Sequence, residues 1–436
     1  MKTAKYYSVF IMKLLRNLFF KNVLKIFTGT FLAQLIMLAG MPIITRIYEK
    51  ETIGLYALFI STIGITSSFA SLAYDNTIVL PKKDKHAFVL LKITLTSAFV
   101  MSCLIGLVLK VPIGFFDEYR EIAFFVAIAT FVQVFIISLG YCKIRFNDYN
   151  RLSWSKVLRN LVLILLQIGL FYVTPYGMEW GFIVSGLAGV FFLIYKDQKI
   201  LNGLFSKVSK KSIRKELLKY KEYPKFFCWS NLVLALSAGM PILVFTEYYS
   251  LAQVGVYSIA LSLIVQPASL ISSSIRPVLL SKLAQKKNNN KTIVPIYNKA
   301  FVTLMVGSIF ISIGIFVFFP PIVEFVFGKD WSQSGVLTRY LIPIFIWYFI
   351  SIPSSVSMKV YPFQKYAFWY TMVSFVSITS MVLISSYYNF TFHNVVLLYA
   401  IASLSFSLIN HLLVKRKISI FEKLQIKQVE YDSKIV

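Results

Sequence analysis

The chain has 436 residues, 57% of them hydrophobic and only 14% charged, with a formal net charge of +27 and a mean hydropathy of +0.71. A soluble chain carries roughly 25% charged residues, so the composition excludes an ordinary water-soluble enzyme. It indicates an integral membrane protein, because apolar runs of about 20 residues can cross a bilayer core. Cys103, Cys142, Cys228 and the three histidines are scattered. They give neither a disulfide framework nor a metal-ligand spacing, and no cofactor is expected.

The N-terminal stretch MKTAKYYSVFIMKLLRNLFFKNVLK is basic and leads into a long apolar run without a small-x-small cleavage site. It is expected to stay on the chain as the start of a first span. Its Lys13, Arg16, Lys21 and Lys25 alternate with Leu, Phe and Ile. That pattern fits an amphipathic helix on an anionic membrane surface and equally a basic flank that only sets orientation. Apolar windows then predict twelve spans: 22–46, 55–79, 86–110, 121–143, 157–175, 178–195, 226–248, 253–280, 300–320, 335–357, 366–387 and 393–414. All are expected to be helices, since a helix satisfies its own backbone in lipid and an open strand does not. The polar segment 196–225, with KVSKKSIRKELLKYKEYPK at 207–225, divides six spans from six. It reads as a solvated charged helix of a cytoplasmic loop in preference to a nucleic-acid site. The expected domains are a lobe at 1–195, the linker 196–225, a second lobe at 226–414 and a short, frayed tail from 415.

Cytoplasmic loops collect Lys and Arg. With the N-terminus inside, the inner segments hold all but six of the 45 basic residues, the exceptions being Arg46, Lys50, Lys110, Arg120, Lys329 and Arg339. The basic excess therefore reads as a membrane address with both termini cytoplasmic, and no nucleic acid is called for.

The two halves also repeat one another. GMPIITRIYEKETIGLYALF at 40–59 is echoed by GMPILVFTEYYSLAQVGVYSIA at 239–260, with Gly54 and Gly255 in matching Gly-x-Tyr triplets. A tandem repeat of six spans starting on the same side predicts an all-α membrane protein. Its two pseudo-twofold lobes are expected to surround a central cavity. Twenty-one positions beyond these glycines stand Asp75 and Arg276, ionisable residues expected inside spans, where charge is costly and often functional. Pro42, Pro241, Pro267, Pro277, Pro343 and Pro353 fall in or near spans as candidate kinks. Between Pro267 and Pro277, ASLISSSI offers hydroxyls to the carbonyls that the prolines free. GFIVSGLAG at 181–189 has the small-residue spacing of close helix contact.

Three stretches, MPIITRIYEKETIGLYALF at 41–59, LAYDNTIVLPKKDKHAFVLL at 72–91 and FVFGKDWSQSGVLTRYLIP at 325–343, occur in order along the chain. Together they resemble Wzx-type polysaccharide flippases, of the superfamily that also holds MATE exporters and the lipid II flippase. The resemblance implies two six-helix lobes with a cationic cavity. The implied activity moves an undecaprenyl-diphosphate-linked oligosaccharide (O-antigen, capsule or exopolysaccharide repeat unit) from the inner to the outer leaflet of the bacterial cytoplasmic membrane. It carries over Arg46, the acid position Asp75, which is often Glu in relatives, and Arg276. A polysaccharide polymerase and chain-length machinery are the partners it implies, besides membrane lipids.

The chemistry agrees with an anionic cargo. Arg presents a bidentate fork to phosphate oxygens, so Arg46 and Arg276 are candidate headgroup ligands, with Arg145 and Lys359 attracting it at inner helix ends. Asp75 is a candidate for exchange of a proton or sodium counter-ion. Tyr56, Tyr257, Trp229 and Trp347 suit sugar stacking or interface anchoring. An enzyme is not expected: no Asp-x-Asp occurs, SWSK at 153–156 lacks its companion motifs, and no outer linker is long enough to hold an acceptor. A MATE-like drug or metabolite exporter, a lipid II flippase and, further off, a membrane glycosyltransferase or polymerase stay open as alternatives, because fold does not fix cargo.

Overall fold

The computed structural model describes residues 27–111, 117–289 and 292–435. The basic N-terminal stretch with Lys13, Arg16, Lys21 and Lys25 lies outside them. Among the described residues, twelve helices are long and apolar enough to cross a membrane. Six come first: α1 (Phe27–Ile47), α2 (Lys50–Ala70), α3 (Asp84–Leu109), α4 (Asp117–Arg145), α5 (Tyr149–Leu170) and α6 (Gly177–Ile194). Two short helices follow, α7 (Gln198–Phe205) and α8 (Lys210–Lys219). A π-helical turn at Tyr223–Phe227 then opens α9 (Cys228–Tyr248), followed by α10 (Leu251–Asn288) and α11 (Val294–Phe327). The short α12 (Ser332–Tyr340) precedes α13 (Ile342–Val360), α14 (Gln364–Tyr387) and α15 (Phe392–Ile435).

Most expected bounds shift by only a few residues, and the exceptions have local causes. The second span ends at Ala70, not 79. Leu72 and Ala73 adopt left-handed backbone, φ 50° and 58°. The Ser71 hydroxyl accepts from the Ala73 N–H (3.2 Å), offering the chain a bond that competes with the helical one. Hydropathy misses the break because Leu72, Ala73 and Tyr74 are themselves apolar. The eighth span runs on to Asn288, started by a capping box between Ser250 and Gln253. Its serine hydroxyls donate to the carbonyls of Gln266, Ser269 and Leu270. The carbonyls that Pro267 and Pro277 free belong to Leu263 and Ser273, so the hydroxyls do not serve as expected. The expected tenth span is divided at Leu341 into α12 and α13, and the tail continues α15 as helix to Ile435.

The chain forms two compact units: residues up to Tyr48 with Phe59–Ala235, and Glu49–Leu58 with Leu236 onward. In the first unit, Gly186 and Gly189 let α6 lie against Val132 and Ile136 of α4, and Gly181 lets it lie against Gln167 of α5. Lipid tails are as apolar as leucine, so such close van der Waals fit holds membrane helices together where a hydrophobic drive would not. The segment 196–225 is docked here through a few buried residues, while Lys210, Lys211, Arg214, Lys215 and Lys219 of α8 are exposed. Ile200 and Tyr220 belong to the apolar cluster of α3 and α4. The buried Glu216 carboxylate meets the Nδ1 of His86 at 2.8 Å. Fully buried Lys143 pairs with Asp197 at 2.6 Å. Burial raises the Asp197 carboxyl, but hydrogen bonds from Lys143 and the Ile200 N–H, with the charges of Lys143 and Arg151, outweigh it and leave the group below its ordinary value.

In the second unit the repeated glycines meet. A Cβ on Gly54 would stand 2.0 Å from the Leu251 carbonyl oxygen, and one on Gly255 would stand 2.2 Å from that of Lys50. Each glycine thus faces the residue four before the other, and the first turns of α2 and α10 cross backbone to backbone. This contact groups 49–58 with the second unit. Gly54→Ala or Gly255→Ala must force the helices apart, an overpacking cost of about 1–3 kcal/mol. Thermal unfolding of the purified protein should show a lower midpoint for either variant. Gly64→Ala, where a Cβ meets nothing within 4 Å, should show no loss.

Candidate functional site

In the first unit, the irregular segment between α2 and α3 carries one of the expected residues, Asp75, and is held by another, Arg145. Asp75 sits in a 3₁₀ turn, Tyr74–Thr77, and is buried. Its Oδ1 accepts from Ser71 Oγ (2.8 Å) and from Asn76 Nδ2 (3.3 Å), while Tyr141 donates to Asn76 Oδ1 (2.8 Å). The break after Ala70 leaves Asp75 beyond the end of its span. Burial raises its carboxyl above the ordinary range, opposed by the Ser71 hydrogen bond and by nearby backbone N–H groups.

Arg145, at the last position of α4, serves the same segment. Its Nε and Nη2 donate to Asp84 Oδ1 at 2.9 and 2.8 Å, and its Nη1 reaches the Pro81 carbonyl at 2.7 Å. The carbonyls of Ile78 and Val79 lie at 3.5 and 3.4 Å from the same nitrogen. Non-helical backbone leaves carbonyls that need donors, and one planar guanidinium supplies them. In this structure Arg145 clamps a loop, where the sequence suggested a ligand for cargo.

Sequence reasoning passed over a buried polar group in the same unit. Glu179, near the start of α6, is 1% exposed, and neither carboxylate oxygen has a hydrogen-bond partner among the described residues. The Gln167 side-chain nitrogen is likewise unpartnered, and Tyr48 Oη donates to the Gln167 backbone carbonyl at 2.6 Å. Burial first, then the nearby Glu179 carboxylate, pushes the Tyr48 hydroxyl up to about 12, which keeps it a donor. Glu179 lies between Gly177 and Gly181 in an apolar window, and no spacing marks it in the sequence.

In the second unit Arg276 lies within α10 with its side chain half-buried. Its Nη1 donates to Ser355 Oγ (3.0 Å) on α13, and no carboxylate is ion-paired with it among the described residues. Ser355 stands one turn before Lys359, which is exposed in the last turn of α13, so the structure brings Arg276 and Lys359 to neighbouring turns. The counterpart positions differ in kind, since Asp75 is on a broken turn and Arg276 is in continuous helix. Arg46 is exposed in the last turn of α1. Tyr257 is fully buried against Phe245 (ring centroids 5.0 Å). It is core and is closed to sugar stacking, whereas Trp229 is exposed.

Among the described residues, twelve helices, six to each half of the chain, are long and apolar enough to cross a membrane, and they define an all-helical, polytopic membrane protein. The family model for "Polysaccharide biosynthesis protein" matches residues 43–336, and the chain belongs to that family. The fold is similar to three solved structures. The lipid II flippase MurJ in an inward closed conformation has a TM-score of 0.67 at 13% identity over 93% of this chain and 92% of that one. A MOP superfamily transporter from Pyrococcus furiosus has 0.58 at 14% identity, over 92% and 96%. A MATE transporter in complex with MaL6 has 0.57 at 14% identity, over 92% and 97%. No curated relative matches by sequence. The resemblance drawn from the three motifs agrees with the family and with the fold.

Replacing the Arg145 fork should loosen the loop it holds. Arg145→Lys keeps the charge but not the planar set of donors. Losing charge-assisted bonds of about 1.5–3 kcal/mol should speed limited trypsin cleavage at Lys82 and Lys83 roughly tenfold or more over wild type. Unchanged cleavage would show that the loop holds itself. For Asp75, a raised carboxyl holds its proton more tightly in the folded chain than in the unfolded one. It therefore costs stability as pH climbs from the ordinary value of about 3.9 toward the raised one. Asp75→Asn should flatten the dependence of melting temperature on pH from about pH 4 to neutrality, and should melt no lower than wild type at neutral pH. Parallel curves for the two proteins would contradict this.

Proposed function

We propose that the chain is a flippase. It moves undecaprenyl-diphosphate-linked oligosaccharide from the inner to the outer leaflet by alternating access, in a bacterial cytoplasmic membrane with both termini inside. The observation that carries this reading is Arg276, a half-buried guanidinium in a membrane helix whose hydrogen-bond partner is the neutral Ser355. Cations within spans normally pair with something, and an Arg fork left without a carboxylate suits the oxygens of a passing diphosphate. Lys359, in the neighbouring turn of α13, adds positive charge, and Arg46 receives the headgroup at the far end of α1. Arg145 contributes by holding the loop that carries Asp75.

Membership of a polysaccharide biosynthesis family supports a glycan cargo, and the likeness to MurJ supports a fold able to pass a lipid-anchored headgroup. The isoprenoid tail stays in lipid throughout. In an inside-negative cell an outward-moving anion gains about 2.3 kcal/mol per charge per 100 mV, so the membrane potential can drive export without nucleotide. Asp75, buried and holding its proton more tightly than an ordinary aspartate, is the group through which a proton or sodium ion would be exchanged.

The test is lipid analysis in cells that depend on this chain for surface glycan. Arg276→Ala should let undecaprenyl-diphosphate oligosaccharide build up on the cytoplasmic face and cut surface glycan roughly tenfold or more, the effect of losing about 1.5–3 kcal/mol of charge-assisted bonding. Arg276→Lys should recover part of it. Normal surface glycan on deletion of the whole chain, with drug resistance lost instead, would assign a MATE-like exporter.

A further inference from the structure

The first unit holds a surface-open cavity of about 510 Å³ at the start of α3, between that helix, α7 and the chain that follows α7. Its size falls among small-molecule sites, roughly 300–1,000 Å³. The floor is apolar, made by Phe88 and Phe146 (ring centroids 6.1 Å) and by Gly203. A Cβ on Gly203 would stand 2.2 Å from the Phe88 ring, so glycine is what lets α7 come down onto α3 and close the floor. The rim carries Lys85, Lys199 and Lys207, all exposed, and Lys199 Nζ lies 5.7 Å from the Phe146 ring centroid.

One acid lines the cavity, Asp84, and Arg145 already neutralises it at 2.8 Å. Asp197, just before α7, is taken by Lys143 and Arg151. His86, on the first turn of α3, faces Glu216 of α8. Among the described residues, therefore, none of the three lysines is ion-paired with a carboxylate around this aromatic floor. Lysine is a point charge suited to phosphate whose orientation is not fixed. Phe205, next in the chain to the lining Ser206, is 83% exposed, and Tyr195, four residues before Lys199, is 51% exposed. Such a border of bare aromatic rings belongs at a membrane interface and suits acyl chains, whereas a soluble anion makes no use of it.

We propose that this cavity binds the phosphate headgroup of an anionic phospholipid, with the acyl chains lying along the aromatic border. The site is separate from Arg276 and Lys359. It rests on the flippase reading only for the leaflet, since the proposed orientation puts the lysine-rich end at the inner one. Bound there, the lipid bridges α3 to the docked linker, reinforcing the contact of Lys92 with Ser206.

Native mass spectrometry of the full chain in detergent, equilibrated with equal phosphatidylglycerol and phosphatidylcholine, tests this. Wild type should retain phosphatidylglycerol preferentially, and each lysine of the rim should contribute about fivefold. Lys85→Gln, Lys199→Gln and Lys207→Gln combined should abolish the preference. A charge-matched control on α8 (Lys210→Gln, Lys211→Gln, Lys215→Gln) should keep it. Equal loss in both sets would reduce the effect to a diffuse basic surface and overturn the site. Displacement of phosphatidylglycerol by inorganic phosphate at equal concentration would overturn the lipid assignment in favour of a soluble anion. Glycan build-up in Arg276→Ala cells reads the transport proposal alone, so the two fail separately.

Discussion

A backbone inside hydrocarbon finds no water, so each N–H and C=O must be satisfied by the protein itself. Most of this chain meets that demand in the simplest way, with twelve long helices. The revealing region is the one that does not. After Ala70 the backbone turns left-handed at Leu72 and Ala73, and its polar groups are served one at a time by Ser71, Thr77 and Arg145. An arginine spent on carbonyls, and a buried aspartate held by a serine, are the cost of an irregular segment. Functional groups are commonly seated where such cost is tolerated.

The repeat follows the same logic of contact. Where two helices are to cross with backbones touching, any side chain is too large. Gly54 and Gly255 therefore stand in matching places, each against the carbonyl of the residue four before the other. Further from this crossing the two copies are free to differ. One continues as helix through Pro267 and Pro277 to Asn288, and the other stops at Ala70. The duplicated positions Asp75 and Arg276 consequently do different work, one in a hydrogen-bonded turn and one as a cation inside a helix.

Charge is also placed in two different ways. Fully buried Lys143 is matched locally by Asp197, and the mostly covered Arg145 by the exposed Asp84. This is the form in which buried charge is tolerable, because breaking such a pair strands an ion. Arg276 and the lysines of the α3–α7 cavity lack that matching. One is half-buried within a span and the others ring a hollow at a helix entrance. Both arrangements leave positive charge without a carboxylate partner among the described residues, and this is the charge to which the proposed cargo headgroup and the proposed lipid are matched.

Composition and hydropathy by themselves determined the helical membrane class, the count of spans and the division into six and six, because burial of apolar length in lipid is a property of each segment taken alone. The repeated Gly-x-Tyr and the small residues of α6 were also visible in order along the chain, since close packing demands glycine whatever the partner. Tertiary structure alone decided where α2 stops, because the competing bond is a hydroxyl to a backbone N–H among residues that look apolar. It alone decided that the basic linker is docked through Ile200, Tyr220 and Glu216. Only it set Arg145 on a loop, Arg276 on Ser355, Tyr257 in the core and Glu179 without a hydrogen-bond partner among the described residues. Those outcomes depend on which side chains meet across distant segments, and neither charge nor periodicity along one segment records that meeting.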